Sequence, residues 1–221
     1  MPISEVYNMD CLDYMKTIPD KFFDLCIADP PYGINITSSG WIAKHASDIL
    51  GENNKWDKQT PPKEVFEEIF RVSKQQIIWG ANYFISKMPH QDTQCWFLWD
   101  KKMPDSLSFA QFEMAWSGLK MGCKKFDYMP SRQKDRIHAT QKPVELYNWL
   151  LDISKIGGGK IFDPFLGSGS SRIAAYLKGF DFYACEIDPI YFKAQEERFR
   201  KECFGEQKLK DGRIVVQESL F

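Results

Sequence analysis

Short apolar runs alternate with amphipathic stretches along the chain, and this pattern predicts strands that alternate with helices. Seven runs have the length and composition of buried strands: residues 6–9, 24–28, 76–79, 95–99, 112–116, 160–165 and 182–185. Helical periodicity begins near Asp10, Thr60 and Pro143, and two further helices follow Ser170 and Asp188. Strands that are separated by helices in this way are expected to run parallel.

The predicted fold is therefore α/β, with a doubly wound, mostly parallel, seven-stranded Rossmann-like sheet that carries helices on both faces. A chain of 221 residues with 43% hydrophobic content is expected to form a single domain over residues 1–221. Two polar stretches interrupt the pattern. We expect residues 33–60 to form a mobile loop and residues 120–137 a small recognition segment.

The first candidate site follows the apolar run that ends at Ala28. Its sequence is Asp29-Pro30-Pro31-Tyr32. The two prolines end the strand because neither has a backbone N–H to donate. A carboxylate, two rigid carbonyls and an aromatic ring are left at the carboxyl edge of the sheet, where ligands bind in open α/β folds.

The second candidate site is the segment Asp163-Pro164-Phe165-Leu166-Gly167-Ser168-Gly169-Ser170, between a strand and a helix. Its glycines allow the backbone to approach a ligand closely. Glu186 ends the next strand 19 positions after Gly167, a spacing suited to an acid that binds ribose hydroxyls. Arg172 stands where a dinucleotide motif has its third glycine, so a single nucleoside with an amino-acid tail, such as S-adenosylmethionine, fits better.

These motifs resemble those of amino-group DNA methyltransferases of the permuted beta class, in which the catalytic motif precedes the cofactor motif. Asp29-Pro30-Pro31-Tyr32-Gly33 resembles the catalytic motif, and Asp163 to Gly169 resembles the cofactor motif. His138-Ala139-Thr140-Gln141-Lys142-Pro143 is similar to the segment before it, with alanine where proline is more usual. Asn8-Met9-Asp10-Cys11-Leu12 and Gly80-Ala81-Asn82-Tyr83 also resemble family segments.

The resemblance implies a catalytic role for Asp29, Pro30, Pro31 and Tyr32. It implies that S-adenosyl-L-methionine is the cofactor and that no metal is used. Glu186 would bind the ribose, and Asp10 and Cys11 would flank the adenine. The residues near the methionine portion would be Thr140, Lys142, Asp163, Gly167, Ser168 and Gly169. The cofactor-binding residues implied are Asp10, Cys11, Asp29, Thr140, Lys142, Asp163, Phe165, Gly167, Ser168, Gly169, Ser170 and Glu186.

The chemistry expected of this motif is methylation of an exocyclic amine, whose lone pair is conjugated into the base. Asp29 and the carbonyl of Pro30 would accept its two N–H bonds and free the lone pair, and Tyr32 would stack on the base. The Asp-Pro-Pro-Tyr form of the motif implies adenine N6 in double-stranded DNA. N4-cytosine methylation, methylation of an amine or amide in RNA, protein or a small molecule, and a catalytically silent DNA-binding or cofactor-sensing protein remain alternatives.

A net charge of −1 means that any DNA contact depends on a local patch. Residues 120–142 hold seven lysines and arginines against two aspartates. Phe126 and Tyr128 are interleaved among them. The candidate DNA-binding residues are Lys124, Lys125, Arg132, Lys134 and Arg136.

Other expectations concern partners and location. The six cysteines form no Cys-x-x-Cys pair, and no apolar run approaches the ~20 residues of a membrane span, so we expect a cytoplasmic protein. The resemblance implies that it is bacterial or phage-encoded and nucleoid-associated. Gln217-Glu218-Ser219-Leu220-Phe221 resembles the peptide that binds the replication sliding clamp, but an edge strand or a packed hydrophobic tail is the favoured interpretation. The modest size favours a homodimer or a very short recognition site, and no nuclease motif of a restriction-modification pair is visible.

Overall fold

A computed structural model describes residues 1–36, 56–106, 110–133, 136–208 and 213–216. Five α-helices lie within them: α1 (Cys11–Lys16), α2 (Lys63–Val72), α3 (Val144–Ser154), α4 (Ser170–Leu177) and α5 (Pro189–Phe204). The strands of the main sheet are β1 (Ser4–Tyr7), β2 (Phe23–Ala28), β3 (Ser73–Trp79), β4 (Cys95–Asp100), β5 (Phe112–Ser117), β6 (Lys124–Asp127), β7 (Lys160–Asp163) and β8 (Asp181–Cys185). A hairpin of β9 (Glu206–Lys208) and β10 (Ile214–Val216) follows α5.

The main sheet has the strand order β1-β8-β7-β2-β3-β5-β4-β6. Every pairing is parallel except the two made by β5, which runs antiparallel to both β3 and β4. This arrangement confirms the predicted α/β class with a mostly parallel sheet. The predicted number of seven strands is one too few for the described residues, because β6 adds an eighth at the edge.

The strand β6 lies inside the polar segment that the sequence predicted as a separate recognition element. Its residues are Lys-Lys-Phe-Asp, and it pairs with β4 from Lys124 opposite Phe97 to Asp127 opposite Asp100. An edge strand that is mostly exposed needs no buried apolar alternation, so periodicity alone did not identify it. At least this part of residues 120–137 belongs to the main sheet.

The core consists of two apolar layers, one on each face of the sheet. Successive residues of β2 point to opposite faces, so that Cys26 and Ala28 pack beneath α1 and α2 while Leu25 and Ile27 pack beneath α3 and α4. Both faces of β2 are covered, which explains why the sequence there is a continuous apolar run.

The last helix of the described core, α5, begins where its capping residues predict. Asp188 accepts hydrogen bonds from the backbone N–H groups of Ile190 and Tyr191, and Pro189 occupies the first turn, where its missing N–H costs nothing. The helix ends at Gly205 in the left-handed conformation. Asp10 caps α1 in the same way through the N–H of Leu12.

The strand order reverses between β2 and β7. From β2 the chain continues through α2 to β3 on one side, and from β7 it continues through α4 to β8 on the other. These two strands are direct parallel neighbours, with Cys26 opposite Phe162. Their carboxyl ends therefore form the point at which doubly wound sheets bind ligands.

All six cysteines are unpaired, and Cys11, Cys26, Cys95 and Cys185 are buried, as expected of reduced core residues. Within the described ranges no helix combines the length and apolar character needed to cross a bilayer. The middle of the predicted mobile loop (residues 37–55) and the clamp-like peptide Gln217 to Phe221 lie outside the described residues.

Phe162 offers a direct test of the core. It is fully buried and stacks on Phe23 with ring centroids 4.6 Å apart. Phe162→Ala should lower the free energy of unfolding by about 3–5 kcal/mol, as expected for a large cavity. Phe112→Ala is the control, because Phe112 is 48% exposed and should change stability by less than about 1 kcal/mol. Urea unfolding of both variants makes the comparison, and equal losses would contradict the assigned core.

Candidate active site

The turn Asp29-Pro30-Pro31-Tyr32 directly follows β2 and is held by a buried carboxylate. Asp57, which is 1% exposed, accepts hydrogen bonds from the backbone N–H groups of Tyr32 (2.8 Å), Gly33 (2.9 Å) and Ile36 (2.9 Å). One side chain from the far end of the 33–60 loop thus fixes the backbone of the candidate catalytic motif and of the residues after it. No local sequence pattern distinguishes Asp57, because its three partners lie 21 to 25 positions earlier in the chain.

The ring of Tyr32 packs against a glycine at the end of β3. Gly80 has a φ of +68°, and a Cβ atom placed there would lie 2.1 Å from the Tyr32 ring. The ring of Tyr83 stacks on Tyr32 with centroids 5.1 Å apart. The segment Gly80–Tyr83 therefore lies beside the catalytic motif, and Tyr83, which is 47% exposed, extends its aromatic surface towards solvent.

Lys142 reaches this turn from the segment before α3. Its ammonium group lies 2.6 Å from Oδ1 of Asp29 and 3.0 Å from Oε2 of Glu113, and it donates to the hydroxyl of Tyr32 at 3.1 Å. The lysine side chain is 3% exposed, and the two carboxylates are about 20% exposed. The resemblance implies that Lys142 lies near the methionine portion of the cofactor, and its Nζ contacts Asp29 of the candidate catalytic motif.

Glu113 on β5 is a member of this cluster that the sequence analysis missed. Oε1 of Glu113 lies 2.6 Å from Nζ of Lys101, and Oε2 lies 3.2 Å from the oxygen of the Tyr32 hydroxyl. Two carboxylates and the ammonium group of Lys142 thus surround the Tyr32 hydroxyl, and Lys101 pairs with the far oxygen of Glu113. No local motif distinguishes this glutamate from an ordinary strand residue, because its partners come from distant segments.

Burial and charge set the pKa values in this cluster. Burial raises the pKa of Asp29, and the nearby Lys142 offsets only part of that effect. Burial alone would also raise the pKa of Glu113, but Lys142 and Lys101 outweigh it and lower the pKa to about 2. The two carboxylates raise the pKa of Lys142 although its burial opposes the charge. At neutral pH the cluster contains a protonated Lys142 and an ionised Glu113.

The second half-site is the turn between β7 and α4. Gly167 has a φ of +53°, and its N–H donates to Oε2 of Glu186 at 2.7 Å. The N–H of Asp188 donates to Oε1 of the same carboxylate at 2.9 Å. Both oxygens of Glu186 are thereby oriented, and each keeps a lone pair for a further donor.

The serines of this turn connect it to the rest of the site. The hydroxyl of Ser170 donates to the carbonyl of Lys142 at 2.7 Å and lies 3.2 Å from the hydroxyl of Ser168. Arg198 on α5 donates to the carbonyl of Ser168 at 3.0 Å and to Oγ of Ser170 at 2.8 Å. Arg198 was also missed, since nothing in the local sequence of α5 shows that it faces this turn.

Asp163 ends β7 in a buried position. The hydroxyl of Ser171 and the N–H of Phe165 donate to its two oxygens. Burial raises the pKa of this carboxyl to about 7, because these two hydrogen bonds offset only part of the desolvation. Arg172, in the place of a third motif glycine, is buried and contacts Ser4 and the α5 residues Gln195 and Glu196.

An aromatic group lies next to Gly167. The ring of His138 is 4.2 Å from that of Tyr191 and 5.1 Å from that of Trp56, and a Cβ atom at Gly167 would lie 3.8 Å from it. Burial lowers the pKa of His138 to about 3, so the imidazole is neutral at pH 7. Within the described residues, Nε1 of Trp56 and the hydroxyl of Tyr191 are buried without a hydrogen-bond partner.

The remaining predicted cofactor residues lie around this edge with structural contacts of their own. Thr140 contacts Nδ1 of His138 through its hydroxyl at 3.2 Å. Asp10 caps α1, and the adjacent Cys11 is buried, which raises the pKa of its thiol to about 12.

The candidate DNA-binding residues lie on β6 and in the segment between β6 and α3. Lys124, Lys125 and Arg132 are exposed, and Lys125 forms ion pairs with Asp100 and Asp127. Arg136 donates to the carbonyl of Ala139. Lys134 lies outside the described residues.

An open cleft of about 490 Å³ borders the catalytic turn. Tyr32, Tyr83, Gln59 and Lys87 contribute to its walls. The cleft lies on the aromatic side of the turn, and both ends of the 33–60 loop reach it.

The sequence model described as "DNA methylase" (N6_N4_Mtase) matches residues 53–197, which is more than half of the chain. The chain belongs to this DNA methylase family. Type II methyltransferase M.HinfI of Haemophilus influenzae is 26% identical to it over 90% of this chain and 69% of that protein. Type II methyltransferase M2.MboI of Moraxella bovis is 24% identical over 89% of this chain and 87% of its own length.

Solved structures share the fold of this methylase at lower identity. A DNA modification methylase from Thermus thermophilus, described as putative and complexed with S-adenosyl-L-methionine, aligns with a TM-score of 0.59 at 18% identity, over 90% of this chain and 96% of that one. The cytosine-N4-specific PvuII DNA methyltransferase aligns with a TM-score of 0.61 at 12% identity, over 90% of this chain and 87% of that one. At these identities the likeness concerns the fold.

The contact between Gly80 and Tyr32 gives a prediction for the methylase. Gly80→Ala places a methyl group on the Tyr32 ring and forces alanine into a left-handed conformation, so we expect a loss of about 2 kcal/mol in stability and reduced methyl transfer. The matched control is Gly122→Ala, because a Cβ atom at Gly122 meets nothing within 4 Å. Thermal unfolding and a DNA methylation assay measure both effects, and indistinguishable variants would contradict the close packing.

Lys142→Met removes the buried ammonium group, and its effect on the free energy of unfolding of the methylase should depend on pH. In the native protein Lys142 and Lys101 lower the pKa of Glu113 from an ordinary value of 4.5 to about 2. The ionised Glu113 therefore stabilises the folded state above pH 4.5, and this contribution is lost as the pH falls towards 2. In Lys142→Met, Asp29 loses its ion-pair partner, and burial then favours its neutral form. The deficit relative to the native protein should therefore grow as the pH rises, to about 3 kcal/mol at pH 7.

Urea unfolding between pH 3 and pH 8 measures this deficit. Lys16→Met is the control, because the Lys16–Asp13 pair is mostly exposed and should contribute less than about 1 kcal/mol. A deficit in Lys142→Met that stays constant over this pH range would show that Lys142 does not stabilise the ionised carboxylates.

Proposed function

We propose that the protein transfers a methyl group from S-adenosyl-L-methionine to the N6 amine of an adenine that is flipped out of duplex DNA. The observation that carries the proposal is the placement of Asp29-Pro30-Pro31-Tyr32 and the Gly167–Ser170 turn at the carboxyl ends of two neighbouring parallel strands. Membership of the DNA methylase family supports methyl transfer to DNA.

The residues of the second half-site fit this cofactor. Glu186 presents two oriented oxygens that suit the two hydroxyls of a ribose. The rings of Trp56 and Tyr191 pack on His138, which lies beside Gly167, and their buried Nε1 and hydroxyl, which have no hydrogen-bond partner within the described residues, are donors that a polar ligand would satisfy. Gly167, Ser168, Gly169 and Ser170 would lie along the ligand. When bound, the cofactor supplies an electrophilic sulfonium methyl group.

The first half-site would prepare the amine. Asp29 and the carbonyl of Pro30 would accept its two N–H bonds, so that the nitrogen becomes pyramidal and its lone pair is directed away from the ring. Tyr32 and Tyr83 provide aromatic surface for the flipped base, a contact worth about 1–3 kcal/mol. This offsets part of the few kcal/mol that extrusion of a base costs.

The open cleft beside Tyr32 and Tyr83 would receive the flipped base, and the 33–60 loop would close over it. Exposed cations on and near β6, Lys124 and Arg132 among them, would contact DNA phosphates. The choice of adenine rests on Asp29 as the first residue of the catalytic motif. N4-cytosine methylation is the competing outcome, since the same acceptors would serve either amine.

Nucleoside analysis of methylated DNA tests the proposal. Purified protein, S-adenosylmethionine carrying a labelled methyl group and duplex DNA of mixed sequence should yield N6-methyladenine, identified by mass spectrometry after digestion to nucleosides. Recovery of N4-methylcytosine instead would replace adenine as the target, and label in neither nucleoside would contradict methylation of a DNA base amine.

The role of Asp29 has a separate test. Asp29→Ala should reduce methyl transfer by at least about 100-fold, since it removes an acceptor that is positioned for the reacting amine. Binding of S-adenosylmethionine, measured by calorimetry, should change little. Asp13→Ala is the control because Asp13 is exposed on α1. Native rates of transfer in Asp29→Ala would contradict the assignment.

A further inference from the structure

Glu113 occupies an unusual place relative to the catalytic motif. It lies on β5, which runs antiparallel to its neighbours, yet its carboxylate reaches the turn that follows β2. Both of its oxygens are engaged, Oε1 by Lys101 at 2.6 Å and Oε2 by Lys142 at 3.0 Å. A partly buried carboxylate that is paired with two cations beside a candidate active site can have a functional role in addition to stabilising the fold.

The two oxygens of Asp29 differ in their contacts. Oδ1 lies 2.6 Å from the ammonium group of Lys142 and accepts from the Tyr32 hydroxyl at 2.8 Å. Oδ2 takes part in no hydrogen bond or ion pair within the part of the chain that the structure describes. The side chain is 21% exposed. One oxygen is therefore engaged by the protein, and the other is available to a ligand.

The engagement of Oδ1 depends on groups that Glu113 also contacts. Lys142 Nζ lies between the two carboxylates, and the Tyr32 hydroxyl is within 3.2 Å of both. Lys101 balances the charge of Glu113 from its other side. Without Glu113, the ammonium group of Lys142 would have Asp29 as its remaining carboxylate partner in this cluster.

We propose that Glu113 is a positioning residue for methyl transfer. Its carboxylate keeps the ammonium group of Lys142 and the hydroxyl of Tyr32 in contact with Oδ1 of Asp29. Oδ2 of Asp29 is thereby left as the acceptor for the target amine. Glu113 also shares the positive charge of Lys142 with Asp29. Asp29 is therefore a stronger hydrogen-bond acceptor than it would be if Lys142 paired with Asp29 alone. This inference rests on the proposed function, because it deepens the role assigned to Asp29.

The surroundings of Asp29 determine the sign of the expected pH effect. The charged and titratable groups that act on it are Lys142 before α3, Tyr32 in its own turn, Glu113 on β5, Tyr147 on α3 and Asp163 at the end of β7. Glu113 raises the pKa of Asp29, and Lys142 lowers it. Neutralising Glu113 should therefore lower the pKa of Asp29 and weaken it as an acceptor.

The test compares Glu113→Gln with Glu113→Asp and a control. In Glu113→Gln, kcat should fall on the order of 10-fold, as for groups that orient a functional residue from behind it. The acid limb of the pH profile of kcat should move to lower pH, while KM for S-adenosylmethionine stays within about twofold. Glu113→Asp, which keeps the charge, should restore the position of the acid limb.

The matched control is Glu68→Gln. Glu68 is 21% exposed and pairs with Arg71 at 2.7 Å, so it resembles Glu113 in burial and pairing, but it lies on α2 away from the catalytic turn. It should leave kcat and its pH profile unchanged. Melting temperature and S-adenosylmethionine binding are measured for every variant.

Two results would overturn the inference. One is a native kcat and a native acid limb in Glu113→Gln. The other is a fall in kcat that is matched by a parallel loss of cofactor binding and thermal stability, because that is the signature of a purely structural residue. Asp29→Ala distinguishes failure of the inference about Glu113 from failure of the proposed function. If Asp29→Ala is inactive and Glu113→Gln is fully active, only the role of Glu113 is overturned.

Discussion

A single buried lysine joins the two halves of this site. The ammonium group of Lys142 contacts Asp29 in the turn after β2. The backbone carbonyl of Lys142 accepts a hydrogen bond from the hydroxyl of Ser170, where the turn after β7 meets α4. A charge in this position is stable because two carboxylates and a hydroxyl surround it, and their removal would leave it unpaired in a poorly solvated place. Lys142 therefore links the two turns, one through its side chain and the other through its backbone.

The sheet makes this contact possible. β2 and β7 are parallel neighbours at the point where the strand order reverses, so the ends of two strands that are distant in sequence lie side by side. Segments from elsewhere then complete each half. Asp57 fixes the turn after Tyr32 from the end of the 33–60 loop, and Arg198 fixes the Ser168–Ser170 backbone from α5.

Local sequence patterns account for the elements that a few neighbouring residues determine. The apolar run before Asp29, the glycines of the turn between β7 and α4 and the Asp188-Pro189 start of α5 were all predicted, since strand burial, tight turns and helix caps are local properties. Glu113 was not predicted because its role comes from partners on other segments. The strand β6 was not predicted because an exposed edge requires no apolar pattern.

The central claim is that Asp29 binds the target amine through the oxygen that Lys142 leaves open. A crystal structure of the protein with an unreactive analogue of S-adenosylmethionine and duplex DNA tests it most directly. We expect a flipped base whose exocyclic nitrogen lies within hydrogen-bonding distance of Oδ2 of Asp29, with the ammonium group of Lys142 still in contact with Oδ1 and the analogue beside Gly167 and Glu186. A flipped base bound away from Asp29, or an analogue bound away from the Gly167–Ser170 turn, would contradict it.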